Sequence, residues 1–421
     1  MKYIKKEHPC YNLHMIKTDK FKTTNIEVIF EQDIKKEDIT ISNFLSSILT
    51  FTTKKYDTKL KYAKEMEKLY AAKLYTNSYR LGSNLNVDFN MQILNDKYTE
   101  KGLLNKSLDF LKEVIFNPNV KDGKFDEVSF NIIKNDERSQ IQRFKEDIRR
   151  YATLRCCELT DDTAPFSYNL KGYIDDLEKI TSEDLYTYYQ KFMANSNIEI
   201  FIIGDIDIDE VDKMIKEKLV FTNNKKNSKY PLIPIGKHKK QRKEVIENDS
   251  TNQAKLSITC RIENLTDRER NYVLNLYNYI LGGSSDSKFF RNIREKYSLC
   301  YYAVTGANKL DNLLLISSGI TKENYSKMLI LIDKEMNDMR NGNITEDEII
   351  NAKKYYLSGL EEIEDNPSQI IASYYAIDKL KADSIEERKE KIKEITKEEI
   401  VALANKVFID TIYLLGGDKK W

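Results

Sequence analysis

The chain has 421 residues, too many for one ordinary hydrophobic core, so at least two domains are expected. Hydrophobic residues make up 41% and charged residues 32%, the composition of a soluble globular protein. A net charge of +1 leaves no basic footprint for nucleic acid and no basic face for anionic lipid.

The opening "MKYIKKEHPCYNLHMIK" holds no apolar stretch of signal-peptide length. The longest apolar runs, such as "IEIFIIG" at 198–204, are strand-sized and too short to span a bilayer. Five cysteines (Cys10, Cys156, Cys157, Cys260, Cys300) show no C-x-x-C spacing and read as reduced thiols of a cytoplasmic protein. His8, His14 and His238 have no carboxylate at motif spacing, so no intrinsic zinc site is expected and all three read as solvated surface groups.

Along the chain, "SNFLSSILTF" falls in a core helix over 41–52. Ser46 and Ser47 have no His or Lys base at a recognisable spacing, so a serine nucleophile is not expected. Helices follow at 104–116 and from 124. Residues 179–205 then read "KITSEDLYTYYQKFMANSNIEIFIIGD", a Thr181-capped helix with acids in its first turn and an apolar strand closed by glycine. Residues 230–245 hold two of the chain's prolines, a glycine and a run of basic charge, as a linker does. Ser284, Ser285 and Asp286 can cap a helix "SKFFRNIREK". The strand "LCYYAV" (299–304), the loop "TGANKLDN" and the strand "LLLISSGI" come next. Helices at 324–339 and 343–354 lead to "EITKEEIVALANKVFIDTIYLLGGD", where Thr396 takes the place of Thr181.

The second half thus repeats the first in order: paired helices at 104–116 and 324–339, at 124–134 and 343–354, and matching helix–strand ends. The expected architecture is α+β. Two homologous domains, 1–229 and 246–421 with a linker at 230–245, each carry a mainly antiparallel sheet covered on one face by helices.

Two stretches carry a family resemblance. "APFSYNLKGYIDDLEKITSEDLYTYYQKFMANSNIEIFIIGDID" (164–207) and "NYILGGSSDSKFFRNIREKYSLCYYAV" (278–304) resemble the insulinase/pitrilysin-type zinc peptidases. The match is with their short two-domain bacterial branch, whose chains work in pairs as in mitochondrial processing peptidase. The resemblance covers nearly the whole chain. It implies that Arg294 and Tyr301, seven residues apart, face a chamber opposite a zinc site. There a guanidinium and a phenol hydroxyl can donate to the oxyanion of amide hydrolysis. It also implies that the zinc frame H-x-x-E-H falls at 43–47, where this chain has Asn43, Ser46 and Ser47. The third, carboxylate ligand aligns with Asn135, with Glu137 close by. No metal is therefore expected in this chain.

The resemblance implies a heterodimer, in which a homologous H-x-x-E-H subunit holds the zinc and both subunits enclose a peptide. Substrate would add as a strand to a sheet edge, which here falls at Leu74, Tyr75 and Thr76. The alternatives are a catalytically silent structural or regulatory homologue and a peptide-binding module that closes as a homodimer.

Overall fold

The structure, a computed structural model, describes residues 1–223, 241–249 and 253–417. In chain order, strands β1 (Lys2–Glu7), β2 (Asn12–Lys17) and β3 (Thr23–Asp33) lead to helices α1 (Lys36–Leu49) and α2 (Lys59–Lys68). The hairpin β4 (Lys73–Leu81) and β5 (Asn84–Leu94), helix α3 (Leu103–Phe116) and a short hairpin, β6 (Val120–Lys121) with β7 (Lys124–Phe125), follow. Helices α4 (Glu127–Glu146), α5 (Ile148–Thr160), α6 (Ile174–Lys179) and α7 (Ser182–Asn195) precede β8 (Asn197–Gly204) and α8 (Ile208–Lys218).

The second half contains β9 (Lys243–Asp249), β10 (Ala254–Ile262), and α9 (Leu274–Asn278) flanked by π-type turns Glu269–Val273 and Tyr279–Gly283. A π-helix over Phe289–Lys296 leads into β11 (Cys300–Asn308) and β12 (Leu313–Ile320). Helices α10 (Tyr325–Arg340), α11 (Glu346–Ile363), α12 (Pro367–Leu380), α13 (Ile385–Lys393) and α14 (Lys397–Ala404) end at β13 (Val407–Gly417).

Most of the expected join, 230–240, lies outside the described residues, and Lys243, Glu244 and Val245 already belong to β9. Contacts group 1–143, 169–223 and 367–372 into one compact unit and the other described residues into a second. Helix α5 therefore belongs to the second unit, although it precedes the last strand of the first.

The two sheets have one topology. The first runs β1-β2-β8-β3-β5-β4 and the second β11-β12-β10-β13-β9. In both, one parallel pair (β2 with β8, β9 with β13) joins otherwise antiparallel neighbours. Among the described residues, strand β1 is the first sheet's one addition. The closing helices match equally well: Thr181 and Thr396 are both N-caps with φ −100° and ψ 166°, and each completes a capping box three residues on.

Period-2 alternation divides each sheet's faces. In the first unit Leu13, Met15, Val28, Phe30, Phe89 and Ile200 enter the helix-covered core. The opposite face is polar yet buried, with Asn12, His14, Glu27, Asp88 and Glu199. His14, expected at the surface, is fully buried. It is held by the Tyr3 hydroxyl at 2.7 Å and Glu199 at 2.8 Å, and it stacks on Phe201 with ring centroids 4.1 Å apart. His8 is likewise inside rather than solvated, 3.1 Å from Asp212 and packed against Tyr11. His238 lies outside the described residues.

In the second unit Ile412 and Leu414 enter the main core, whereas Tyr413 and Leu415 point the other way. Helix α5 covers that second face through Ala152 and Cys156. The Cys156 thiol lies 3.4 Å from the Ser257 carbonyl, and Thr160 meets Thr259 at 2.6 Å. The five cysteines are all free thiols.

Candidate functional site

Helix α1 buries Phe44, Leu45, Ile48 and Leu49 on its core face. Thr40, Asn43 and Ser47 form a polar stripe at i, i+3 and i+7, one face of the helix. Each is used to fasten the helix. The Thr40 hydroxyl accepts from the Tyr173 N–H at 3.0 Å, and Asn43 Nδ2 donates to the Leu170 carbonyl at 2.8 Å. Gly172, with φ +92°, lets the loop approach that closely, because a Cβ there would come within 2.9 Å of Thr40 Oγ1.

Ser47 Oγ donates to Glu137 Oε1 at 2.6 Å. Glu137 is 4% exposed, and burial raises its carboxyl above the usual carboxylate range despite the Ser47 bond. The carboxylate facing the frame at 43–47 is thus Glu137. Asn135, to which the third-ligand position aligned, points outward, and its side-chain oxygen accepts from Arg138 at 2.5 Å. On α4, Phe130, Ile133, Glu137 and Ile141 share the buried face at helical spacing, and residue 135 is out of phase with them.

These groups do not fit zinc. An amide already spent on a carbonyl, two neutral hydroxyls and one carboxyl offer no imidazole and no thiolate. They do not fit a serine nucleophile either. Ser46 Oγ donates to the Asn43 carbonyl at 2.8 Å, and its hydroxyl meets no base among the described residues.

The expected edge strand is β4. It pairs only with β5 among the described residues, so its outer edge offers unpaired backbone groups. Tyr75 faces outward, and Thr76 Oγ1 reaches the Ser46 carbonyl at 3.4 Å.

Arg294 and Tyr301 sit on consecutive elements of the second unit. The Leu281-Gly282-Gly283 end of the α9 segment packs directly on β11. A Cβ on Gly282 would lie 2.7 Å from Thr305 Cγ2 and 2.9 Å from Phe289 Cδ2. Ser287, one residue beyond the expected caps, supplies the acceptor for the Phe290 N–H at 3.3 Å. Arg294 stacks on Phe290, one turn back, at 4.7 Å, and its Nε lies 3.6 Å from Glu295. It lines a cavity of about 430 Å³ with Ser284, Ser285 and Tyr302.

Tyr301 is not part of that lining. The β11–β12 register shifts between Cys300 and Tyr302, so Tyr301 is the extra residue of a β-bulge. Its side chain is 75% exposed and makes no hydrogen bond with the described residues. The bulge was invisible in the sequence. So was the length of β11, which continues through Thr305, Gly306 and Ala307 to Asn308, residues expected in a loop.

Two α+β units of one topology, with a polar stripe on α1 that offers no imidazole, set the frame for the comparison with known proteins. The chain is similar to the M16, or insulinase/pitrilysin-type, peptidase homologues, including inactive ones. A family model described as Peptidase M16 inactive domain matches residues 179–356. The chain is 28% identical over 418 residues to the Probable inactive metalloprotease YmfF of Bacillus subtilis, covering 98% of this chain and 97% of that one. A conserved protein from Enterococcus faecalis V583 has a similar crystal structure, with TM-score 0.94 and 26% identity over 100% of this chain and 99% of that one. The Peptidase M16 inactive domain structure from Pseudomonas fluorescens shares the fold, with TM-score 0.79 and 16% identity over 99% and 98% of the two chains. Among the described residues no helix is long and apolar enough to cross a membrane.

Proposed function

We propose that this chain is the zinc-free subunit of a two-chain cytoplasmic peptidase. A homologous H-x-x-E-H partner would hold the zinc, and this chain would present Arg294 and Tyr301 to the peptide carbonyl. The observation that carries the reading is that both donors are unspent. Tyr301 bonds to nothing described, and Arg294 has only an exposed acid 3.6 Å away. A phenol pushed outward by a bulge and, on the preceding element, a guanidinium held by an aromatic ring suit donation to an oxyanion on a facing subunit. The outer edge of β4 at Leu74–Thr76 would add a peptide strand.

A catalytically silent scaffold or peptide-binding homologue is the second reading. It is favoured by one observation: Tyr301 does not line the cavity that Arg294 lines.

Reconstitution separates the two. The chain alone should cleave no peptide. With an H-x-x-E-H homologue from the same genome, cleavage should rise, and Arg294→Ala or Tyr301→Phe should each lower turnover roughly 10²–10³-fold with little change in peptide affinity. Variants that assemble by gel filtration and keep full turnover would establish the silent reading.

A further inference from the structure

The second unit holds another cavity, of about 360 Å³, between the α9 segment and α11. This is the size of a small-ligand site. It shares only Tyr279, Gly283 and Tyr355 with the Arg294 cavity.

One wall is a ladder of carboxamides. Asn271, Asn275 and Asn278 recur at i, i+4 and i+7 on one helix face. Asn275 Nδ2 donates to the Asn271 carbonyl at 2.7 Å, which leaves its oxygen for a ligand. The Asn278 carboxamide oxygen is buried and accepts nothing from the described residues. A buried acceptor without a donor is costly, so an N–H brought to it by a ligand would be favoured. The facing wall, on α11, is kept low by Ala352 and Gly359, and a Cβ on Gly359 would stand in open space. Tyr355, its ring tilted against Tyr279 with centroids 4.6 Å apart and itself 60% exposed, forms the rim.

The charge is one-sided. Lys309 and Arg388 line the cavity, with Asp383 as the only acid among the lining residues. The Asp383 carboxylate is already engaged by the Tyr272 hydroxyl and by Lys391 at 2.7 Å. Arg388 uses Nε on the Asp383 carbonyl at 2.7 Å, and its terminal nitrogens have no partner among the described residues. Lys309 has only a 3.4 Å approach to Asn271 Oδ1. Burial lowers the Lys309 ammonium from its ordinary value, and the neighbouring Arg388 and Arg270 charges lower it further.

We propose that this cavity binds the C-terminal end of a short peptide. Its free carboxylate would lie between Lys309 and Arg388, with its backbone amides on the asparagine ladder and an apolar side chain among the tyrosines. Asn271 to Asn278 spans about 10 Å of helix, the length of about three extended residues. A bare anion would use the cations but leave the ladder idle. An uncharged amide would do the reverse.

The test is calorimetric titration of the full-length chain with three probes: alanyl-alanyl-phenylalanine free acid, its C-terminal amide, and phenylpropionate. The free acid should bind, and the amide and phenylpropionate should each bind at least about tenfold more weakly. Lys309→Met should weaken the free acid about tenfold. Gly359→Leu should fill the cavity and abolish binding, while its melting temperature stays at or above that of the unaltered chain. Equal binding of acid and amide, equal binding of phenylpropionate, unchanged binding in Gly359→Leu, or no saturation at millimolar peptide would each overturn the proposal.

Discussion

At the residue scale, the polar stripe of α1 fastens the helix to its neighbours. Asn43 staples the helix to the Leu170 carbonyl, and Ser47 donates to Glu137, a ligand-type group facing this stripe. Restoring Asn43→His and Ser47→His would set two imidazoles four residues apart opposite Glu137, three ligands of the usual catalytic kind. The double variant should then hold zinc near one equivalent by elemental analysis, and the natural chain should hold none. Absence of zinc in a folded double variant would place the frame elsewhere.

The buried polar face of the first sheet makes a second prediction. Burial, with the Asp88 charge beside it, pushes the Glu27 carboxyl up to about 8, and burial pushes Asp88 up to about 6. The folded chain therefore keeps a proton on Glu27 that the unfolded chain releases near the ordinary value of 4.5. Stability is full below that value, falls as pH rises towards about 8, and levels off above. Each tenfold change in proton affinity is worth ~1.4 kcal/mol, so the loss reaches a few kcal/mol. Glu27→Gln removes the titration. Thermal melts should match at about pH 5 and favour the variant by several degrees at about pH 8.5. The same difference at both pH values would refute this assignment.

At the element scale, two glycines of the second unit should respond in opposite directions to alanine. Gly282 lies where the α9 segment meets β11, and its added Cβ would press on Thr305 and Phe289. Gly282→Ala should cost about 1–3 kcal/mol in denaturant unfolding. Gly359 lies inside α11 with nothing within 4 Å of its added Cβ, so Gly359→Ala should gain about 1 kcal/mol from helix propensity alone.

Sequence reading succeeded where local signals and packing agree. The Thr181 and Thr396 caps, their acidic first turns and their glycine-closed strands were legible, as were the helices they define. It failed where distant partners decide. Thr305–Asn308 carries no apolar run, yet β12 draws it into the sheet. His14 was read by its type, whereas Glu199, 185 residues away, keeps it inside. Sequence alignment pointed to Asn135, but only the three-dimensional phase of α4 shows that Glu137 is the residue turned towards Ser47. The spacing of Arg294 and Tyr301 was legible, and the bulge in β11 that holds Tyr301 was not.

At the scale of the whole molecule, the duplication is clear in the sheets but does not divide the chain at its midpoint. Helix α5 completes the second unit from within the first half of the sequence. A fragment starting at residue 241 lacks it and leaves Tyr413 and Leu415 uncovered. Such a fragment should aggregate or expose a dye-binding apolar face. A peptide covering 144–168, added in trans, should restore a cooperative melt. A cooperative, dye-free fragment without the peptide would show α5 to be dispensable.

The placement of α5 also sets a schedule for synthesis. Cys156 leaves the ribosome 255 residues ahead of Thr411, whose carbonyl it lies against in the finished sheet. At roughly 5–20 residues per second, that helix waits about 13–50 s for its last partner strand. Strand β10 reaches Cys156 101 residues on, but the apolar side of Ala152 and Cys156 stays uncovered by Tyr413 and Leu415 until the end of that interval. Nascent chains stalled before residue 407 should therefore carry holdase chaperone on this segment, and full-length released chains should shed it.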